Sequence, residues 1–213
     1  LTLSETPPMA APRLADRSGR TLSHYLLKEC LGAGGMGVVY RAEDLALGRS
    51  AAIKMLPEHF HPELRRRLIA EAAAASKLQH PAIATFYEAG EEDGQAFIAM
   101  ELIEGMSVRS ALAPGPLEVV RAVAAVVDVL EALGHAHQLG LLHRDLKPEN
   151  VMLTARGATL LDFGLAKEFL VVAAPSGGSQ AVVDATGAGI VGTLGYMSPE
   201  QVCGTALGPA SDI

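Results

Sequence analysis

The hydrophobic pattern reads as strands first, one helix among them, and helices afterwards. Tyr25 to Leu31 reads as a strand, followed by a glycine cluster and a second strand, Val38-Val39-Tyr40. The turn Ala46 to Arg49 leads to a third strand, Ala51 to Leu56. Pro62 stands where a helix can begin, and Leu64, Leu68, Ala72, Ala75 and Leu78 recur at helical spacing until His80-Pro81 ends it. Ala82 to Glu88 and Gln95 to Glu101 read as two further strands, joined by the turn Glu91-Glu92-Asp93-Gly94. After Gly105 the pattern turns helical. Leu117 to Leu139 carries a long apolar stripe, interrupted by Arg121, Asp128 and Glu131, and reads as a core helix. Short strands are expected around Val151 to Leu153 and Thr159 to Leu161. Residues 167–192 are rich in Gly, Ala and Ser and read as a long mobile loop, and residues 1–22 as a flexible tail.

Composition narrows the class. Of 213 residues, 49% are apolar and 19% charged, a globular balance large enough for one core or two small lobes. The net charge of −7 and the lack of a basic stripe argue against nucleic acid or an anionic membrane as partner. Arg65-Arg66-Arg67 is the one tight basic cluster and reads as a solvated helix face. Two distant cysteines, Cys30 and Cys203, make neither a disulfide framework nor a zinc site and fit a reducing, cytoplasmic setting. No apolar run is long enough to span a bilayer. His135 and His137 read as structural histidines rather than metal ligands.

Chemistry-bearing residues then appear in order. Gly32-Ala33-Gly34-Gly35-Met36-Gly37-Val38-Val39 fits G-x-G-x-x-G-x-V, where glycines let backbone approach phosphate. A dinucleotide site needs a helix after the glycines; a strand follows here, which favours a flap over nucleotide phosphates. Lys54 ends the apolar strand Ala51-Ala52-Ile53-Lys54, and Glu71 lies mid-helix; each alone could be an ordinary surface charge. His143-Arg144-Asp145-Leu146-Lys147-Pro148-Glu149-Asn150 is the strongest signal. Phosphoryl transfer needs an acceptor for a hydroxyl proton, a cation near the γ-phosphate and a metal ligand, and Asp145, Lys147 and Asn150 are of those types. Asp162-Phe163-Gly164 adds a second hard oxygen donor suited to magnesium.

From about His24 to Ile213 these motifs, with the closing GTLGYMSPEQ, resemble bacterial serine/threonine kinases of the eukaryotic-like, Hanks type. The resemblance implies an α+β, bilobal protein-kinase-like fold. Its N-lobe is a five-stranded antiparallel sheet with one main helix (23–104, with the hinge). Its C-lobe is mostly helical and incomplete (105–213). It implies transfer of the γ-phosphoryl group of ATP, with magnesium and manganese as the alternative metal, to Ser or Thr of protein substrates. Autophosphorylation in trans is implied too. Leu31, Gly32, Gly34 and Gly37 would cover the nucleotide. Val39, Ala52 and Leu153 would sandwich adenine, with Met100 as gatekeeper and the backbone of Glu101 and Ile103 as hinge. Lys54 and Glu71 would form an ion pair, Asp145 would be the base with Lys147 beside it, and Asn150 and Asp162 would bind metal.

Further expectations concern control and extent. Lys147 and Thr193 match the serine/threonine form. Phosphorylation of Thr186, or of Ser176 or Ser179, is expected to order the loop through Arg144 and Lys167. Asp212 is expected to bond the backbone at His143 and Arg144, and Glu200 to lack its arginine partner. Both ends read as cut: the chain starts at Leu1 and stops at what looks like the first turn of a central helix. Such a segment alone is expected to be weakly active and poorly soluble. A catalytically dead scaffold, an aminoglycoside-type kinase and a nicotinamide oxidoreductase are the rivals. Retention of Lys54, Asp145, Asn150 and Asp162 speaks against the first, and the HRDLKPEN loop against the second.

Overall fold

A computed structural model describes residues 16–34, 37–57, 63, 65–66, 69–70, 76–163 and 194–213. Six strands form the larger sheet: β1 (Thr21–Leu22), β2 (Tyr25–Gly34), β3 (Gly37–Asp44), β4 (Arg49–Met55), β5 (Phe86–Glu92) and β6 (Gln95–Glu101). Their order is β1-β2-β3-β4-β6-β5, antiparallel throughout. Four of the five expected strands are present as β2, β3, β4 and β6, and the other, Ala82–Glu88, only in part. The expected tail through residue 22 overlaps β1, whose Leu22 is buried in the sheet's core with Tyr25, Leu27, Tyr40, Ile53 and Phe97.

Two turns show why these strands meet in this register. Between β3 and β4, the buried Asp44 carboxylate accepts from Ala46 N (3.1 Å), Leu47 N (3.0 Å) and Arg49 Nε (3.1 Å). Between β5 and β6, Asp93 (φ 50°) and Gly94 (φ 76°) form the tight two-residue turn that matches strand twist. The expected strand Ala82–Glu88 therefore needs correction. Its second half joins a strand that runs on to Glu92, through half of the expected turn. Its first half pairs elsewhere: Ala84 N donates to Leu160 O (2.9 Å) and Leu160 N to Ala82 O (2.8 Å), with an isolated bridge from Ile83 to Leu160. Among the described residues after β4, Glu63, Arg65, Arg66, Ile69 and Ala70 are helical, where the expected helix lies.

The second lobe is built on α1 (Val108–Ala111), α2 (Val119–Gln138) and a small sheet of β7 (Met106–Ser107), β8 (Val151–Thr154) and β9 (Gly157–Leu160). A two-residue strand such as β7 is too short to leave a period in the sequence. The helix α2 is not a core helix all round. Ala125, Ala132, Leu133 and Ala136 are buried, whereas Val119, Val120, Val123, Val126, Val127 and Leu130 are exposed. Its buried stripe joins Leu78, Ile83, Val151, Leu153, Leu160 and Phe163 in one apolar cluster. Beyond the stretch 164–193 come α3 (Pro199–Cys203) and a 3₁₀ turn, Pro209–Asp212. Among the described residues no helix is long and apolar enough to cross a membrane.

Candidate active site

Strand register assembles one wall of the site. Val39 pairs with Lys54, Ala52 with Met100, and Ala51 with Glu101. Directly paired residues share a face, so Val39, Ala52, Lys54 and Met100 line up on one side of the sheet. Ala52 is buried there, and Leu153 is buried on β8 in the other lobe. The Glu101 N–H already donates to Thr85 O (2.8 Å), which leaves hinge recognition to other backbone groups. Ile103 lies just past β6 in irregular backbone.

The glycines of the expected flap divide by cause. Gly37 has φ 115°, and a Cβ there would collide with the Met55 carbonyl, so the fold itself demands glycine. Gly32 and Gly34 sit in β2 with nothing within 4 Å of where a Cβ would stand. Packing does not require glycine at either, although glycine costs a strand about 0.5–1 kcal/mol. Backbone left bare over open space is what close approach of a phosphate needs. Leu31 is exposed beside them.

The loop between α2 and β8 concentrates the polar chemistry. His143 is fully buried, its ring 4.9 Å from Phe163. Its Nδ1 accepts from Asp145 N (3.2 Å), so its Nε2 carries the proton donated to Leu161 O (2.9 Å). Burial holds its pKa below the ordinary value, which keeps the ring neutral in this tautomer. Asp145, 7% exposed, receives Lys147 Nζ at its Oδ2 (2.7 Å). Asn150 Nδ2 donates to Asp145 O (2.8 Å) and to Asp145 Oδ2 (3.2 Å). Leu161 N donates to Asn150 O (2.8 Å), tying Asn150 to the residue that precedes Asp162. Lys54 Nζ reaches Asp162 Oδ2 at 2.6 Å, so the two lobes meet at this ion pair.

Two residues here hold positive φ without being glycine: Arg144 (63°) and Asp162 (43°). Such backbone costs of order 1–3 kcal/mol and persists only where neighbours hold it. For Arg144 the neighbours are visible. Asp212, 4% exposed, accepts from Arg144 N at Oδ1 (2.7 Å) and from His143 N at Oδ2 (2.8 Å). That is the expected pairing. His137 Nε2 lies 2.8 Å from Asp212 Oδ2, so this histidine is structural, as expected, but its partner was not foreseen. Gln201 Nε2 donates to Arg144 O at 2.6 Å. Arg109 bridges Glu149 (2.8 Å) and the Tyr196 hydroxyl (3.1 Å), linking α1 to the loop. Spacing gives no hint of Arg109. For Gln201 a signal existed: Ser198-Pro199-Glu200-Gln201 is a capping-box pattern.

Other expected residues lie outside the described ones: Glu71, Lys167, Ser176, Ser179, Thr186 and Thr193. Glu200 makes no ion pair with the described residues. Among those residues no group of three or more His, Cys, Asp or Glu could hold a metal ion unaided. Asn150 and Asp162 nevertheless fit as part of a metal's shell. Asp162 Oδ1 is buried with no hydrogen-bond partner among the described residues. The two Nδ2 bonds of Asn150 orient its amide and leave Oδ1 as the oxygen it can offer. An amide and a carboxylate oxygen suit a hard divalent cation completed by phosphate and water.

Comparison with known proteins decides the family. Residues 25–213 match the model described as "Protein kinase domain". The chain belongs to the protein kinase family. It is 40% identical over 189 residues to the serine/threonine-protein kinase pkn2 of Myxococcus xanthus, covering 86% of this chain and 22% of that one. It is 39% identical over 197 residues to the serine/threonine-protein kinase PknB of Mycobacterium tuberculosis, covering 89% and 30%. The crystal structure of the M. tuberculosis PknI kinase domain superposes with a TM-score of 0.73 at 33% identity, over 93% of this chain and 71% of that one. The chain thus spans less than a third of the length of these curated relatives, and its bilobal α+β architecture is that of the kinase fold.

Proposed function

We propose that this kinase domain transfers the γ-phosphoryl group of ATP to serine or threonine hydroxyls of protein substrates in bacterial signalling. The observation that carries this reading is the single cluster of Asp145, Lys147 and Asn150, with the Lys54–Asp162 pair closing the cleft between the lobes. Kinase chemistry uses ATP and a divalent metal; magnesium is our specific assignment, with manganese as the alternative.

The chain's own groups divide the work. Gly32 and Gly34 offer the phosphates backbone with no side chain over it, beside Leu31 and the turn fixed by Gly37. Val39, Ala52, Leu153 and Met100 supply the apolar surface for adenine, and the carbonyl of Glu101 with the backbone of Ile103 its polar edge. Lys54, carried on β4, takes the α- and β-phosphates, partnered by Glu71. Asn150 and Asp162 would hold the divalent ion, which when bound neutralises charge on the phosphates. Asp145 accepts the proton of the attacking hydroxyl and orients it. Lys147, already on Asp145 Oδ2, supplies a cation to the transferred group. Arg144, Lys167 and Thr186, or Ser176 or Ser179 in its place, are assigned to loop control by phosphorylation, and Thr193 to bridging Asp145 and Lys147. Autophosphorylation in trans is part of the same reading.

The test is phosphate transfer from labelled ATP to a generic protein by the intact protein, with EDTA, magnesium and manganese arms. Label should appear on phosphoserine and phosphothreonine. Asp145→Asn should lower kcat roughly 10²–10⁴-fold while ATP still binds, because a positioned base contributes that much. Activity unchanged by Asp145→Asn, or label on tyrosine alone, overturns the assignment. A nucleotide-binding scaffold has less support, because every group the chemistry needs is present.

A further inference from the structure

Arg144, immediately before the proposed base, is held in the left-handed region at φ 63°. A residue in that conformation is kept there when the peptide groups on both sides of it are held. Its N–H is taken by Asp212. Its carbonyl is taken by a side chain from a different element, Gln201 of α3, at 2.6 Å. That carbonyl belongs to the peptide joining Arg144 to Asp145, so its rotation swings Asp145.

Gln201 uses both ends of its amide. Its Oε1 accepts from Ser198 N (3.0 Å), and Ser198 Oγ accepts from Gln201 N (3.3 Å), which closes the capping box at the start of α3. That bond fixes the amide's orientation and turns its Nε2 toward Arg144 O. Gly204 (φ 64°) stops the helix after one turn and a half. The helix is therefore a short mount, capped at both ends, for a side chain whose donor points at the catalytic loop.

We propose that Gln201 is a positioning residue for the reaction: it holds the Arg144–Asp145 peptide so that Asp145 faces the attacking hydroxyl. This rests on the kinase reading given above and adds to it a link between the Ser198–Gly204 segment and the base. Any helix cap would need the Oε1 acceptor alone. The Nε2 donor is what makes the residue specific to glutamine.

Gln201→Glu separates the two roles. Glutamate keeps an acceptor for Ser198 N, and capping boxes use Glu and Gln alike. It loses the donor and turns a carboxylate toward Arg144 O. In the intact protein, Gln201→Glu should melt about 2–4 °C below the parent, the shift that loss of one hydrogen bond produces in a domain of this size. Its kcat should fall about tenfold, the value of one well-made hydrogen bond, with KM for ATP unchanged. Amide exchange measured over residues 141–150 should quicken, with or without turnover. Gln201→Ala should show the same kcat loss and a melting temperature lower still. Unchanged exchange in that segment and kcat within about twofold in Gln201→Glu would overturn the proposal. An inactive parent whose exchange still quickens on Gln201→Glu would refute the kinase reading and leave the positioning bond standing.

Discussion

The β1–β6 sheet and the catalytic loop lie in one small molecule and are held by opposite means. The sheet's interior is Tyr25, Leu27, Tyr40, Ile53 and Phe97, apolar side chains in contact with one another. Its geometry follows from many small contributions, none of which is decisive. The loop from His143 to Asn150 has few apolar anchors. Its shape depends on individual polar atoms: Asp212 on two N–H groups, Gln201 on one carbonyl, and His143 between Asp145 N and Leu161 O. Loss of a sheet side chain should cost stability and spare the chemistry. Loss of a loop contact should cost chemistry out of proportion to stability.

The largest expected effect comes from Asp212→Ala. It strands two N–H groups and the His137 ring and releases the strained Arg144. At about 1–3 kcal/mol for each buried unsatisfied donor, it should destabilise by roughly 2–6 kcal/mol. Its kcat should fall well beyond what the folded fraction explains. Denaturant titration beside single-turnover transfer checks both numbers. An effect on stability alone would make the loop behave like the sheet. Ile53→Ala comes next. Ile53 is fully buried, and removing it should cost about 2–5 kcal/mol. Activity measured below the lowered melting point should stay within about twofold of the parent. A large kcat loss in folded Ile53→Ala would erase the distinction.

This contrast also explains what the sequence could disclose. The sheet was legible because short apolar runs stand between turn residues, and four of its main strands, β2, β3, β4 and β6, lie where those runs put them. The loop was legible as a string of residue types, because Asp145, Lys147 and Asn150 stand close together in sequence. What holds the loop was mostly illegible. Gln201 reaches Arg144 across 57 residues and His137 reaches Asp212 across 75, and no local pattern encodes such a distance. Ala82–Glu88 misled for a related reason. Its apolar residues belong to two sheets, Ile83 bridging to Leu160 and Phe86 starting β5, and the pattern cannot say where one partner gives way to the other. The valines of α2 misled as well, since apolar character sets what a face can bury and not what lies against it.

A smaller effect tests the loop through protons. Burial depresses the pKa of His143, so the folded state resists the proton more than the unfolded chain does. As pH falls, the unfolded chain, with its histidine near the ordinary 6.5, takes up that proton first. The stability contributed by His143 is therefore complete above about 6.5 and is lost as pH drops below it. Melting curves from about pH 8 to 5.5 should show this loss. His143→Phe keeps a ring against Phe163 and removes the titration, so its melting temperature should fall less steeply over the same interval. Its absolute stability should be lower at every pH, because two hydrogen bonds are gone. Parallel slopes for parent and variant would mean that the ring does not resist protonation, and would remove His143 from the set of atoms that hold the loop.

The smallest effect marks the limit of the comparison from the sheet side. Lys28 and Glu43 pair at 2.9 Å across β2 and β3, nearly the same separation as Lys147 and Asp145 in the loop. Distance alone would rank the two pairs together. Their surroundings do not: the sheet pair is about half exposed, and the loop pair has its carboxylate buried. Water screens the first, and two long side chains must be ordered to make it, so its net contribution should be about 0–0.5 kcal/mol. A double-mutant cycle with Lys28→Ala and Glu43→Ala should return a coupling within that range, falling toward zero in about 1 M salt, where the screening length is only about 3 Å. The same cycle on Lys147 and Asp145, read in stability, should return a larger coupling that salt barely alters, because breaking it leaves a buried charge without its partner. Equal couplings in the two cycles would mean that burial does not separate loop from sheet, and that close charges alone govern both.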